Sequence, residues 1–266
     1  MKYFDSHAHY WDKRFEGEMC GGVDACIDTL FRENVCGIVN VGTSPATTRL
    51  AIAQAQRFPR MYAAGGIHPS DVEELSGIED ALAELEWLLT VPEHKIVALG
   101  EIGLDYHYLP FDKEMQKNVF HAQMQMAERL SLPVIIHDRE AHGDCFDVVR
   151  AYPSVRGVFH SYSGSAEMAK DLVRRGYMIS FSGTVSFKNA RSVKEAASVL
   201  PHDAVMIETD APYLAPHPHR GKLNHSGYLS YTCAALAEAW GISEEETARL
   251  THENALRFFG LQEEQK

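Results

Sequence analysis

Short apolar, β-branched runs recur along the chain, each ending in a polar cluster and followed by a longer stretch of helical spacing. Eight such runs stand out: KYFDSH (2–7), GIVNVG (37–42), MYAAGGIH (61–68), IVALGEIGLD (96–105), PVIIHD (133–138), GVFHSY (157–162), YMISFSG (177–183) and VMIETD (205–210). The intervening FDKEMQKNVFHAQMQMAERLSL and SAEMAKDLVRRG place apolar residues at i, i+3, i+4 and i+7, the pattern of a helix with one buried face. Strands alternating with helices predict parallel strands joined by right-handed crossovers, and eight such units predict a closed (β/α)8 TIM-like barrel. An open doubly wound sheet competes with this, but no G-x-G-x-x-G turn follows the first strand. The prolines and glycines of DAPYLAPHPHRGKLNHSGY (210–228) preclude a long helix and predict a loop.

The chain's 266 residues suffice for one such barrel, and no linker, low-complexity tract or internal repeat divides them, so one domain spanning 1–266 is expected. With 45% hydrophobic and 23% charged residues and no apolar run of about 18, no membrane span is expected. The opening MKYFD meets charge too early for a secretory signal, which predicts a cytoplasmic protein. Five cysteines, Cys20, Cys26, Cys36, Cys145 and Cys233, lack any CxxC pair and suit neither a disulfide framework nor a thiolate metal site, so free thiols are expected. A net charge of −12 works against broad attraction to nucleic acid, so an anionic substrate must be captured locally.

In a (β/α)8 barrel the active site lies at the C-terminal ends of the strands, which gives weight to polar residues closing a run. His7 and His9 close the first, Glu101 lies in the fourth, His137 closes the fifth, His160 lies near the end of the sixth and Asp210 closes the eighth. Residues at i and i+2 on a strand share a face, so His7 and His9 make a two-pronged metal clamp. An isolated HxH is ordinary, but core packing does not ask for four histidines and two carboxylates at one end of a barrel. Six ligands exceed one tetrahedral zinc. His7, His9 and Asp210 would form one site, His137 and His160 another, and Glu101 would bridge them, a two-metal hydrolase pattern. The nitrogen and oxygen donors suit Zn, Mn, Co or Fe, with Mg also compatible.

With these residues in view, the chain resembles the TatD family of metal-dependent deoxyribonucleases, within the amidohydrolase superfamily. The resemblance rests on FDSHAH (4–9), GIHP (66–69), GEIGLDY (100–106), PVIIHDR (133–139), FHSYSGS (159–165), ISFSGTVSFKNA (179–190) and ETDAPYLAP (208–216), in order along nearly the whole chain. It implies a barrel, one to three divalent cations and phosphodiester hydrolysis, with His7, His9, Glu101, His137, His160 and Asp210 at the ligand positions. One departure is HSGY after RGKLN (220–224), where the family usually places a proline soon afterwards.

Two ions and two carboxylates leave about two positive charges for a phosphate, and bound water has its pKa lowered toward about 7. Asp210 is expected to orient that water and take its proton, as ligand and base together with the ligand Glu101. Glu208, two residues before Asp210, is expected either to ligate or to fix an imidazole. His68 and Arg220 are candidates to hold phosphate oxygens, with the resemblance favouring Arg220. Asp105 is a candidate for a supporting hydrogen bond. His217 and His219 stay outside the metal set because no strand directs them.

DNA is thus the expected substrate, a 3′-to-5′ exodeoxyribonuclease the expected activity by resemblance, and no obligate protein partner is expected. The same metals polarise carbonyls, which leaves amide, lactone or aminoacyl-ester hydrolysis as the alternative. A silent binding protein would be expected to have lost ligands.

Overall fold

The computed structural model describes residues 1–18 and 21–262. Each of the eight apolar runs falls on a strand: β1 (Tyr3–Ala8), β2 (Val35–Val41), β3 (Met61–Gly65), β4 (Ile96–Asp105), β5 (Val134–Arg139), β6 (Gly157–Phe159), β7 (Met178–Phe181) and β8 (Val205–Ile207). They form one parallel sheet in the order β1 to β8, with helices between successive strands, a (β/α)8 barrel. The alternation of buried runs with amphipathic segments produces this order because a parallel sheet covered by helices buries both faces of every strand.

Two compact units make up the chain by internal contact, Met1–Val39 with Ser161–Lys266 and Asn40–His160. In the first unit, β1 continues into pairing with the segment beyond β8: Ala8 bridges Ala211 in parallel, the Asp210 N–H donates to the His7 carbonyl at 2.9 Å, and the His9 N–H to the Ala211 carbonyl at 2.7 Å. Strand β8 ends three residues before the run predicted it to. Beyond Ile207 the Thr209 N–H turns to the Asp5 carboxylate at 2.9 Å, and Asp210 takes a left-handed conformation at φ 57°.

In the second unit, β4 coincides with its predicted run and pairs with β5 through Gly103–His137 and Asp105–Arg139. Gly103 sits at φ 141°, and a Cβ there would fall on the His137 carbonyl, so only glycine allows this approach. The helix Lys113–Leu130 is capped by the Asp112 side chain, which accepts from the Met115 N–H, and buries Val119, Phe120, Met124 and Ala127. Strand β6 stops at Phe159, short of its run, although the His160 N–H still reaches the Ile136 carbonyl at 3.0 Å.

The 210–228 stretch carries one short 3-10 turn, Ser226–Tyr228, and no long helix. Of the cysteines, Cys145 and Cys233 are buried free thiols and Cys26 and Cys36 half-buried ones, whereas Cys20 lies outside the described residues. Among the described residues, no helix is long and apolar enough to cross a membrane.

Candidate metal centre

In the first unit, the i, i+2 spacing at the end of β1 brings His7 and His9 to the same side, with their Nε2 atoms 3.1 Å apart. Asp210 Oδ1 stands 3.8 Å from His7 Nε2 and 3.4 Å from His9 Nε2. Donors bound to one ion at about 2.0–2.2 Å lie roughly 3–3.6 Å from one another; the His7–His9 and His9–Asp210 separations fall in that range, and the His7–Asp210 separation lies just beyond it.

Beneath this cluster lies Asp5, fully buried and absent from the candidate set read from sequence. Its carboxylate accepts from the Thr209 N–H, the Thr209 hydroxyl at 2.6 Å and the Ser226 hydroxyl at 2.6 Å. Burial pushes the Asp5 carboxyl up to about 7, against these donors. Ser226 belongs to HSGY, and its N–H also donates to the Tyr10 hydroxyl at 2.9 Å. Asn224 completes the bracing by donating to the Thr209 and Tyr213 carbonyls. The segment that departs from the family pattern is therefore an anchor for the first strand. Glu208 is buried, and its Oε1 accepts from the Ser161 N–H at 2.8 Å, which fixes the backbone one residue beyond His160.

In the second unit, Glu101 Oε1 lies 2.7 Å from His137 Nδ1, 2.7 Å from His160 Nε2 and 3.5 Å from His68 Nε2. The two imidazole nitrogens nearest it are 3.2 Å apart, and Glu101, His137 and His160 present donor atoms grouped closely enough for one ion. His137 points its other nitrogen, Nε2, at Asp105 Oδ2, 3.1 Å away. A carboxylate only accepts, so Nε2 keeps its proton and Nδ1 is the atom available to a metal. Burial works to lower the His137 pKa, but hydrogen bonds to Asp105 and Glu101 outweigh it and raise the value. Burial likewise opposes ionisation of Asp105, yet His137 and the His107 N–H hold its pKa below the usual range. Such a negatively lined pocket suits a cation, which would take the place of the proton.

His68 is oriented differently. Its Nδ1 accepts from the Ser70 N–H at 3.1 Å, which leaves the proton on Nε2, the nitrogen facing Glu101.

Two buried glutamines of the helix Lys113–Leu130 hold these strand ends. Gln116 exchanges paired hydrogen bonds with the Asp105 backbone, both 3.0 Å, and Gln123 does the same with Ile67 at 2.7 and 3.0 Å. The glutamines are seven residues apart on one helix face, so a single helix sets both the Asp105 end and the turn into His68. The available signal was two amides on an otherwise apolar face, whose partners sequence does not show.

The remaining candidates lie in the 210–228 stretch. Arg220 is exposed, with its guanidinium 4.3 Å from the Phe187 ring centre. His217 is exposed, and His219 stacks on Tyr228 with ring centres 4.2 Å apart.

The family model for TatD related DNase matches residues 4–260. A metal-dependent hydrolase, YabD of Bacillus subtilis (strain 168), described as uncharacterized, is 38% identical over 97% of this chain and 99% of its own. The similarly described hydrolase TatD of Mycobacterium tuberculosis is 36% identical over 97% of both chains. Among solved structures, the TatD homolog YJJV of Escherichia coli K12 superposes with a TM-score of 0.90 at 27% identity over 98% of each chain. The chain belongs to the TatD family of metal-dependent hydrolases.

Proposed function

We propose that this protein is a divalent-metal-dependent phosphodiesterase acting on DNA, removing nucleotides from the 3′ side. In this reading residues 1–266 work as one catalytic domain. His7, His9 and Asp210 hold one ion, and Glu101, His137 and His160 hold a second. The observation that carries the reading is Glu101, one carboxylate oxygen 2.7 Å from nitrogens of two imidazoles in a pocket without thiolates. The family description, TatD related DNase, supports a nucleic acid substrate.

When bound, such ions supply Lewis acidity and water of lowered pKa. The protein's own groups do the rest. Asp210 is 15% exposed at its side chain while His7 is fully buried, so the carboxylate is the group of its cluster within reach of an incoming water, whose proton it accepts. His68 donates from Nε2 to a phosphate oxygen, since Ser70 occupies its other nitrogen. Asp105 keeps His137 in the tautomer that leaves Nδ1 for ligation. Glu208 supports the turn after β6 through Ser161, and Arg220 offers a forked donor to the phosphate backbone.

The test is hydrolysis of a 5′-labelled single-stranded oligonucleotide by chelator-stripped protein, with Mg²⁺, Mn²⁺, Co²⁺ or Zn²⁺ restored in turn. Stepwise shortening that depends on added metal and is lost in Glu101→Ala is the expected result. A protein that binds ions yet cleaves no DNA with any of them overturns the reading and directs attention to carbonyl esters and amides.

A further inference from the structure

Beside the first cluster stands a layered pair of side chains that metal binding does not use. The Tyr213 ring is 42% exposed and lies edge-on to His9, with ring centres 6.1 Å apart. The Arg14 guanidinium lies over Tyr213, 4.0 Å from the ring centre. Both layers are fixed by Asp12: Arg14 donates through Nε at 3.1 Å and Nη2 at 2.9 Å to its two oxygens, and the Tyr213 hydroxyl donates to Oδ2 at 3.3 Å. The backbone is pinned as well, since the Tyr213 N–H donates to the Asp210 carbonyl at 2.8 Å and its own carbonyl accepts from Asn224. Trp11 lies at 5.7 Å, edge-on to His9.

A solvated arginine and tyrosine ordinarily keep their rotamer freedom, and here that freedom is already lost before any ligand arrives. The Arg14 side chain nevertheless remains 49% exposed, so the pair presents a flat, preorganised surface to solvent one residue-width from a metal-ligand histidine. Guanidinium and aromatic planes are what nucleobases stack on, independently of sequence, because every base has a π face. A nucleotide carries an anionic phosphate and, one sugar away, a flat base.

We propose that Arg14 and Tyr213 form a stacking platform for the nucleobase adjoining the scissile phosphate, with Asp12 as the positioning residue that holds both layers. The proposal rests on the phosphodiesterase reading and narrows it: the substrate is a nucleotide with its base splayed out of a helix, not a simple phosphodiester. Duplex DNA is then engaged at frayed or single-stranded ends.

The experiment compares two single-stranded oligonucleotides that differ only in a tetrahydrofuran abasic residue at the scissile step. Metal-loaded wild type is expected to favour the base-bearing strand by about tenfold in kcat/KM, mainly through KM, since one stacked base is worth that order of discrimination. Tyr213→Phe keeps the ring and retains the preference, whereas Tyr213→Leu treats both strands alike. A binding measurement runs in parallel on metal-free protein, with a 2-aminopurine at the strand end: its fluorescence is quenched by wild type and Tyr213→Phe, but not by Tyr213→Leu, with circular dichroism confirming that each variant is folded. Equal treatment of the two strands by wild type, or a preference that survives in Tyr213→Leu, overturns the platform. If wild type cleaves neither strand, the phosphodiesterase reading falls, and the 2-aminopurine quench decides the platform by itself.

Discussion

On β4 and β5 and just beyond β6 the imidazoles are held by carboxylates, whereas at the end of β1 they are held against each other. Glu101 and Asp105 make three contacts of 2.7 to 3.1 Å with His137 and His160, so that cluster carries its own charge compensation. In the other, His7 and His9 face one another at 3.1 Å and Asp210 stands back at 3.4 and 3.8 Å. The supports differ too. Two glutamines of one helix clamp the backbone of the second unit, and one buried aspartate, Asp5, gathers the first. The difference teaches that a cluster rich in carboxylates keeps its shape as an ion comes and goes, while two facing imidazoles need a cation or a proton between them.

The strongest way to break this comparison is Glu101→Ala. Losing the carboxylate shared by two imidazoles should remove several kcal/mol of transition-state stabilisation, about a thousandfold in kcat/KM, and reduce bound metal as measured by elemental analysis. A smaller loss than in Asp210→Asn would invert the ranking of the two clusters. Next come the supports. Asp5→Ala strands four buried donors and Gln123→Leu strands a backbone N–H and carbonyl, each costing about 3 kcal/mol in denaturant unfolding. The Asp5 change should disturb metal binding at His7 and His9 only, and the Gln123 change the His68 turn only.

Asp105→Asn sharpens the contrast at lower cost. Without a carboxylate to fix the His137 tautomer, metal affinity of the β4–β5 cluster should fall about 10- to 100-fold in chelator competition, with the β1 cluster unaffected. The smallest effect concerns a trio that mirrors the Arg14 platform: Lys113 pairs with Asp144 at 2.6 Å, and the Tyr106 hydroxyl donates to Asp144 at 2.8 Å. Lys113 and Tyr106 hold the Asp144 carboxyl below its usual range. A depressed folded pKa gives stability that is present above the unfolded value of about 3.9 and lost as pH falls through the folded one. Asp144→Asn should therefore cost under about 1 kcal/mol at neutral pH, given its exposure, and nothing at the acid end of a pH-stability series.

Much of the barrel was legible because parallel strands buried on both faces write themselves as continuous apolar runs, and β4 coincides with its run at both ends. Strand ends were less legible where a side chain far along the chain intercepts the ladder, as Asp5 does at Thr209. Strand parity therefore guides poorly past Ile207: Glu208 reaches Ser161 while Asp210, in a left-handed conformation, turns to the histidines. Of the six metal-ligand candidates, His7, His9, His137 and Asp210 were legible as polar residues closing apolar runs, Glu101 as a carboxylate within one and His160 as an imidazole near the end of another. Asp105 was visible only as a candidate, since its contact with His137 depends on the Gly103 approach of β4 to β5. Asp5, Gln116 and Gln123 gave no functional signal, because their partners, backbone groups for the glutamines and backbone and hydroxyl groups for Asp5, are ones that sequence does not pair with them.

The Asp5 anchor also has a meaning in time. Its partners Thr209 and Ser226 lie 204 and 221 residues downstream, so during synthesis the first strand waits roughly 10 to 40 seconds, at typical elongation rates, for the donors that fix it. Until then His7 and His9 lack Asp210 as well, and a nascent chain carries no finished cluster at its first strand. Assembly of that cluster thereby waits for synthesis through Ser226, and chains released earlier would lack the Asp5 anchor.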